Sequence, residues 1–261
     1  MEQLDLEEQS IINTSLPYDL SLKIASSLQV RDVCALGCCS RFWKELCGSD
    51  PIWVSLYRQR WPLLDSSSEN STVPDGAKTS NSDTLLMDWR SLYIWWHNQM
   101  ESRIAFVIKS VEQSSLNNSL EVGNYLRAIN ELCAMQIGFG DVELFLFRPE
   151  LHVFLNLIGL QYCLNQLGIP VEYVLAALEN NKISERRVYV KWWKVGRWSF
   201  GFRLRDESHS RCVSLKDLAV RKDEDVLRVL KRGAVYEVIR VQISISNDLH
   251  PSIYQRSQQT A

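Results

Sequence analysis

SLPYDLSLKIASSLQVRDVCALGCCSRFWKELCGSDPIWVSLYRQRW, residues 15–61, decides how the chain is read. Leu16, Leu20, Ile24 and Leu28 recur every four positions, Val33, Leu36 and Cys39 follow at helical spacing, and Trp43 and Leu46 close the pattern. Such a period gathers residues on one face of a helix. Three short helices fit, with corners at 29–31 and near 39–41. Elements this short cannot stand alone, because chains below about 40 residues generally need a staple or a partner. Either a partner or the rest of the chain is therefore expected to cover their apolar face.

The same stretch concentrates thiols: Cys34, Cys38 and Cys39 fall within six positions, and Cys47 follows. Structural zinc takes four thiolate or imidazole ligands, usually as two short pairs. Cys39 points away from the Cys34–Cys38 face, and the first histidine is His97, so no metal is expected. No Cys-x-x-Cys or other nucleophile signature accompanies any of the seven cysteines. They are expected to be reduced and to pack as small apolar groups. The one Gly-x-Gly, Gly138-Phe139-Gly140, lacks the lysine and the helical start of a phosphate loop. No cofactor and no enzymatic activity are expected.

Working outward, residues 64–83 (LDSSSENSTVPDGAKTSNSD) are almost free of large apolar side chains and are expected to form a disordered linker or insertion. Beyond it, 88–113 and 120–138 read as amphipathic helices, the second ending at Gly138. LHVFLNLIGLQYCLNQLG, 151–168, is a core-helix candidate with Gly168 as its stop. His152, Asn156, Gln161 and Asn165 interrupt it, and it falls short of the roughly 20 apolar residues that span a bilayer. A further helix starts at Pro170, placed in the first turn. A net charge of −2 gives no global attraction to nucleic acid or anionic lipid, so no membrane partner is expected. The acidic start MEQLDLEEQS lacks the features of a secretory signal, which leads to an intracellular expectation, cytoplasm or nucleus.

From Arg187 the period changes to two. Val188, Val190 and Trp192 share one face, and after a corner near 195–196 so do Trp198, Phe200, Phe202 and Leu204. This predicts a β-hairpin over 187–205 with those residues inward and Tyr189, Lys191, Trp193, Arg197, Arg203 and Arg205 outward. A short helix capped by Asp223 and stopped by Gly233 comes next, then a strand over 234–246. The expected organisation is α+β: an acidic tail at 1–15, a helical module at 16–62, the linker at 64–83, an α+β domain at 84–246 and a loose tail at 247–261.

The N-terminal module resembles the F-box family. Leu16-Pro17, Asp19-Leu20, Ile24, Leu28, Val30, Asp32-Val33, Leu36, Trp43, Leu46, Asp50 and Trp53 all fall at F-box spacing. One departure is visible: Cys39 and Ser40 stand where many F-boxes have Val-Cys. The resemblance implies a non-catalytic adaptor whose F-box docks Skp1, and through it a cullin, in an SCF ubiquitin ligase. It also implies that Leu16, Pro17, Leu20, Ile24, Leu28, Val33, Leu36, Trp43, Leu46 and Trp53 form the Skp1-binding set. The C-terminal region shows no Kelch, leucine-rich or WD repeat.

A second feature lies in residues 182–211, which carry nine basic and three acidic side chains. Tyr189, Lys191, Trp193, Arg203 and Arg205 are the candidate substrate-binding residues, suited to an acidic or phosphorylated protein. Interleaved cations and aromatics also suit a nucleic-acid-binding regulator, and the bland alternative is a solvated sheet face. The protein ligand is the expected partner ahead of nucleic acid.

Overall fold

A computed structural model describes residues 16–61, 88–115 and 117–245. The expectations for 1–15, 64–83 and 247–261 lie outside these residues. The chain is mixed α+β and divides into two compact units, Met1–Gln99 and Met100–Ala261. The division falls inside a long helix, so each unit is taken in turn.

The first unit begins with helices α1 (Tyr18–Ser26), α2 (Val30–Leu36), α3 (Arg41–Cys47) and α4 (Asp50–Arg60). Helices α1, α2 and α3 are the three that the periodicity suggested, with corners where it placed them, and Ser49 and Pro51 open a separate α4. Ser40 caps α3 by accepting from the Trp43 N–H at 3.3 Å, so the serine at the family's departure point terminates the corner near 39–41. Helix α5 (Trp89–Ser114) contributes its first half here. Its Tyr93 joins Ala25, Val33, Leu46, Ile52, Trp53, Leu56, Tyr57 and Trp61 in one buried cluster. The ring centroids of Trp53 and Tyr93 lie 5.4 Å apart, and those of Trp61 and Tyr93 5.0 Å apart, within the range of favourable tilted and edge contacts. The Trp53 indole N–H donates to the Cys47 carbonyl at 2.8 Å, satisfying a polar group that burial would otherwise penalise.

The second unit orders β1 (Ser119–Glu121), α6 (Val122–Ala134), α7 (Phe139–Phe145), α8 (Val153–Asn165), α9 (Val171–Asn180), β2 (Arg187–Lys194), β3 (Trp198–Ser199), β4 (Phe202–Arg203), β5 (Glu207–Ser214), α10 (Leu215–Ala219), α11 (Glu224–Arg232) and β6 (Val238–Ile245). Every residue of α8 from Val153 to Cys163 is buried, because α6, α7, α9, α10 and β2 all pack on it. An apolar helix with no polar face is stable in such surroundings. The main sheet is antiparallel in the order β1-β6-β2-β5. Leu120, Val241, Ile243, Val188, Val190, Trp192 and Val213 are its buried apolar side chains.

Three expectations are corrected. Residues 120–138 are not one helix: the first two belong to β1, and α6 ends before Gln136, which adopts φ 52°. Gly138 then opens α7 instead of closing a helix. Pro170 sits at the N-cap of α9, one position before the first turn.

The third correction bears on function. The partner of β2 is β5, not 198–204, with Arg187 opposite Ser214 and Lys194 opposite Glu207. Between them, β3 and β4 form their own two-stranded ribbon, with Trp198 opposite Arg203 and Ser199 opposite Phe202. Phe200 and Gly201, at φ 50° and 85°, make the two-residue turn, and positive φ at both centres is the arrangement whose twist suits a hairpin. The period-two pattern of 198–204 thus describes two sides of a turn, and Trp198, Phe200, Phe202 and Leu204, expected inward, are exposed. Gly196 closes the ribbon's base: a Cβ there would lie 1.8 Å from the Leu204 carbonyl oxygen.

Candidate functional site

Two surfaces emerge from this framework, one in each unit. On α1, the fully buried residues are Ser21 and Ala25, both small, and the half-buried Leu22 packs beside them on the core. Leu20 and Ile24 on the other side of the helix are exposed, as are Leu16 and Pro17 just before it and Tyr18 at its start. Leu28, Leu36 and Trp43 are half-buried. An apolar row of this kind on so small a unit is unusual without a partner.

The remaining expected docking residues are placed differently. Val33, Leu46 and Trp53 are buried in the unit's own core, where they set the angles between α1, α2, α3 and α4 and have no surface to offer. The helical period that marked them is the same for a core face and a partner face, so spacing could not separate the two groups.

The thiols are corrected as well. Cys34, Cys38 and Cys39 are exposed and only Cys47 is buried among these four. Helix α2 buries a single residue, Val33, so its Cys34 faces out, and in the turn that follows the Cys38 and Cys39 thiols reach back to the Cys34 and Ala35 carbonyls at 3.3 and 3.5 Å. Burial, with smaller contributions from Cys34 and Cys39, pushes the Cys47 thiol up, the direction that makes a thiol less reactive. Among the described residues no group of three His, Cys, Asp or Glu side chains is placed to hold a metal ion.

In the second unit, Tyr189, Lys191 and Trp193 share the outer face of β2, alternating with the buried Val188, Val190 and Trp192. The Lys191 ammonium lies 4.8 Å from the Trp193 ring centroid, and the Arg240 guanidinium 5.2 Å from it, both within cation–π range. Arg240 stands opposite Trp193 in β6 and also pairs with Glu121 of β1 through a contact at 3.1 Å from Nε. Arg240, Gln242 and Glu121 were not found by sequence reading, because they come from β1 and β6, far away along the chain.

Arg203 and Arg205 do not belong to this sheet face. Arg203 is on β4, where it pairs with Asp206 at 3.1 Å, and Arg205 follows it in the loop. Asp206 accepts from the Gly196 N–H at 2.8 Å, and that bond, with Arg203 beside it, holds the Asp206 carboxyl below its usual range. The five candidate substrate residues therefore fall on two elements: a sheet face and a ribbon.

Residues 14–59 match the family model described as F-box-like, and this N-terminal stretch is an F-box-like domain. Such a domain points to Skp1 binding in an SCF-type adaptor, and F-box proteins are generally non-catalytic. No curated protein and no solved structure matches the chain. No helix among the described residues is long and apolar enough to cross a membrane.

Proposed function

We propose that the protein is the substrate-recognition adaptor of an SCF ubiquitin ligase. The F-box-like domain docks Skp1 and thereby a cullin, and the second unit presents a protein substrate for ubiquitination inside the cell, in cytoplasm or nucleus. The observation that carries this reading is the F-box-like match over 14–59, on a unit that leaves Leu20 and Ile24 of α1, and Leu16 just before it, exposed. Apolar side chains of this size account for much of the affinity at protein interfaces, and truncating one at a hot spot costs about 2 kcal/mol or more.

The outer sheet face of Tyr189, Lys191, Trp193 and Arg240 suits an acidic or phosphorylated segment of the substrate, since cations flanking an aromatic ring pair with carboxylate or phosphate. The nucleic-acid reading loses its main support, because the hairpin over 187–205 on which it rested is divided between a sheet face and a separate ribbon.

The deciding experiment is a direct titration of purified Skp1 against wild-type chain and the Leu16→Ala, Pro17→Ala double variant. Affinity is expected to fall at least about tenfold. Equal affinity with an unchanged melting curve would remove the F-box assignment. For the substrate face, Lys191→Glu with Arg240→Glu should reduce copurifying substrates while Skp1 binding stays at the wild-type level.

A further inference from the structure

The ribbon between β2 and β5 breaks the usual economy of a folded surface. Phe200 is 99% exposed, Phe202 77% and Trp198 74%, and Phe200 holds φ 50°, a conformation for which asparagine or glycine is the ordinary choice. A bulky aromatic at that position costs backbone strain and leaves an apolar ring in water. Neither cost is offset by any contact within the ribbon.

The two faces sharpen the point. Trp198 and Arg203 are opposite one another, and Ser199 and Phe202 form the next pair, so Trp198 and Phe202 project from opposite faces while Phe200 caps the tip. A groove on another protein covers one face of such a ribbon. A medium that surrounds a protruding tip covers both.

Reading from tip to base, chemistry is ordered by depth. Phe200 and Phe202 come first without a charge, Trp198 with Arg203 next, then Arg197 with Leu204, whose N–H donates to the Arg197 carbonyl at 2.8 Å, and finally Arg205. At the usual rise per strand residue, the tip stands about 10 Å beyond the Arg197 level. Apolar side chains that insert at a bilayer surface reach roughly 5–10 Å below the headgroup boundary. Tryptophan favours the interface, and arginine reaches phosphate from below by extending its stem. A neighbouring turn supplies Tyr236, 94% exposed, and it is held beside the ribbon's base by the Val195 N–H to Glu237 carbonyl bond at 2.8 Å and the Arg197–Glu237 ion pair at 3.3 Å.

We infer that the 195–206 ribbon is a peripheral membrane anchor that inserts Phe200, Phe202 and Trp198 into the interface of a bilayer rich in anionic phospholipid. The overall charge of −2 is no obstacle, because Lys194, Arg197, Arg203 and Arg205 lie on or beside this one protrusion and lipid attraction falls off within a Debye length. The ion pairs of Arg197 and Arg203 are exposed, and exposed pairs exchange for lipid phosphate at little cost. The inference is independent of the adaptor reading, which concerns the other unit and the sheet face.

Sedimentation of the full chain with vesicles tests it. Wild type should pellet with vesicles of phosphatidylcholine mixed with phosphatidylserine, should remain in solution with phosphatidylcholine alone, and should be released by added salt. The Phe200→Asn, Phe202→Thr variant places Asn-Gly, the preferred pair, in the turn, so the fold is retained, as a melting curve will verify. Its partition onto the mixed vesicles should fall by about tenfold or more, given the apolar area lost. Wild type that stays in solution with both compositions overturns the anchor and makes the tip a protein contact. Equal pelleting by the variant also overturns it, because binding would then lie elsewhere.

Discussion

The Arg186 guanidinium donates to the side-chain oxygen of Asn156 and, at 2.8 Å, to the carbonyl of Leu151. The Asn156 amide in turn donates to the Leu146 carbonyl at 2.6 Å and to the Arg148 carbonyl at 3.1 Å. Asn156 is wholly buried in α8, so this one side chain satisfies backbone that leaves α7 and the cation that precedes β2. Asn156→Leu keeps the volume but orphans those groups, and it should destabilise the chain by about 2 kcal/mol or more. Urea unfolding measures this; a change under about 0.5 kcal/mol would mean that the node does not hold the unit together.

A pH dependence follows at the neighbouring residue. His152 starts α8, where its Nδ1 accepts from the Phe154 N–H at 3.4 Å, and burial, reinforced by the Arg186 charge and opposed by Glu112, lowers its pKa. The fold therefore favours the neutral ring, and the unfolded chain binds the extra proton. That contribution to stability is complete above the ordinary histidine value of about 6.5 and is lost as pH falls below it through the folded value. Unfolding midpoints at about pH 7.5 and about pH 5 should differ less in His152→Asn, which retains a capping acceptor, than in wild type.

The two classes of F-box residue should separate cleanly. Leu20→Ala with Ile24→Ala removes exposed side chains, so it should move stability of the free chain by under about 0.5 kcal/mol per site while weakening Skp1 binding. Trp53→Ala empties the core and breaks the indole bond to Cys47, and it should cost about 3–5 kcal/mol. Thermal melts paired with Skp1 titrations distinguish them.

Gly196→Ala should open the base of the ribbon, because the added carbon meets the Leu204 backbone and no side-chain rotation relieves that clash. Trypsin cleavage after Arg197, Arg203 and Arg205 should accelerate, while the melting midpoint of the rest of the second unit shifts little. Unchanged cleavage would show that the ribbon tolerates the wider separation.

Much of this is legible in the sequence. Helical period marked α1, α2, α3, α5, α8, α9 and α11, and Asp223 accepts from the Val226 N–H at 3.1 Å as its cap position predicted. The F-box spacing survived one unusual residue, Ser40, because a serine can cap. What failed was long-range pairing. β5 reads ESHSRCVS, a polar string with no alternation, whereas 198–204 alternates well and yet turns back on itself at Phe200-Gly201. Period reports which residues share a side; it does not say which distant segment supplies the other half of the ladder. For the same reason the sheet face gained Arg240 and Glu121 and lost Arg203 and Arg205.

The strand order β1-β6-β2-β5 also has a meaning for life in a crowded solution. Among the described residues β5 is an edge strand, and an edge row of amides and carbonyls is a template on which another molecule can add a strand. Glu207, Ser208, Ser210 and Arg211 lie along that strand, all exposed, and side chains this strongly hydrated make self-templating unfavourable. The polarity that hid β5 from pattern recognition is thus what keeps separate copies of the sheet from growing into one another.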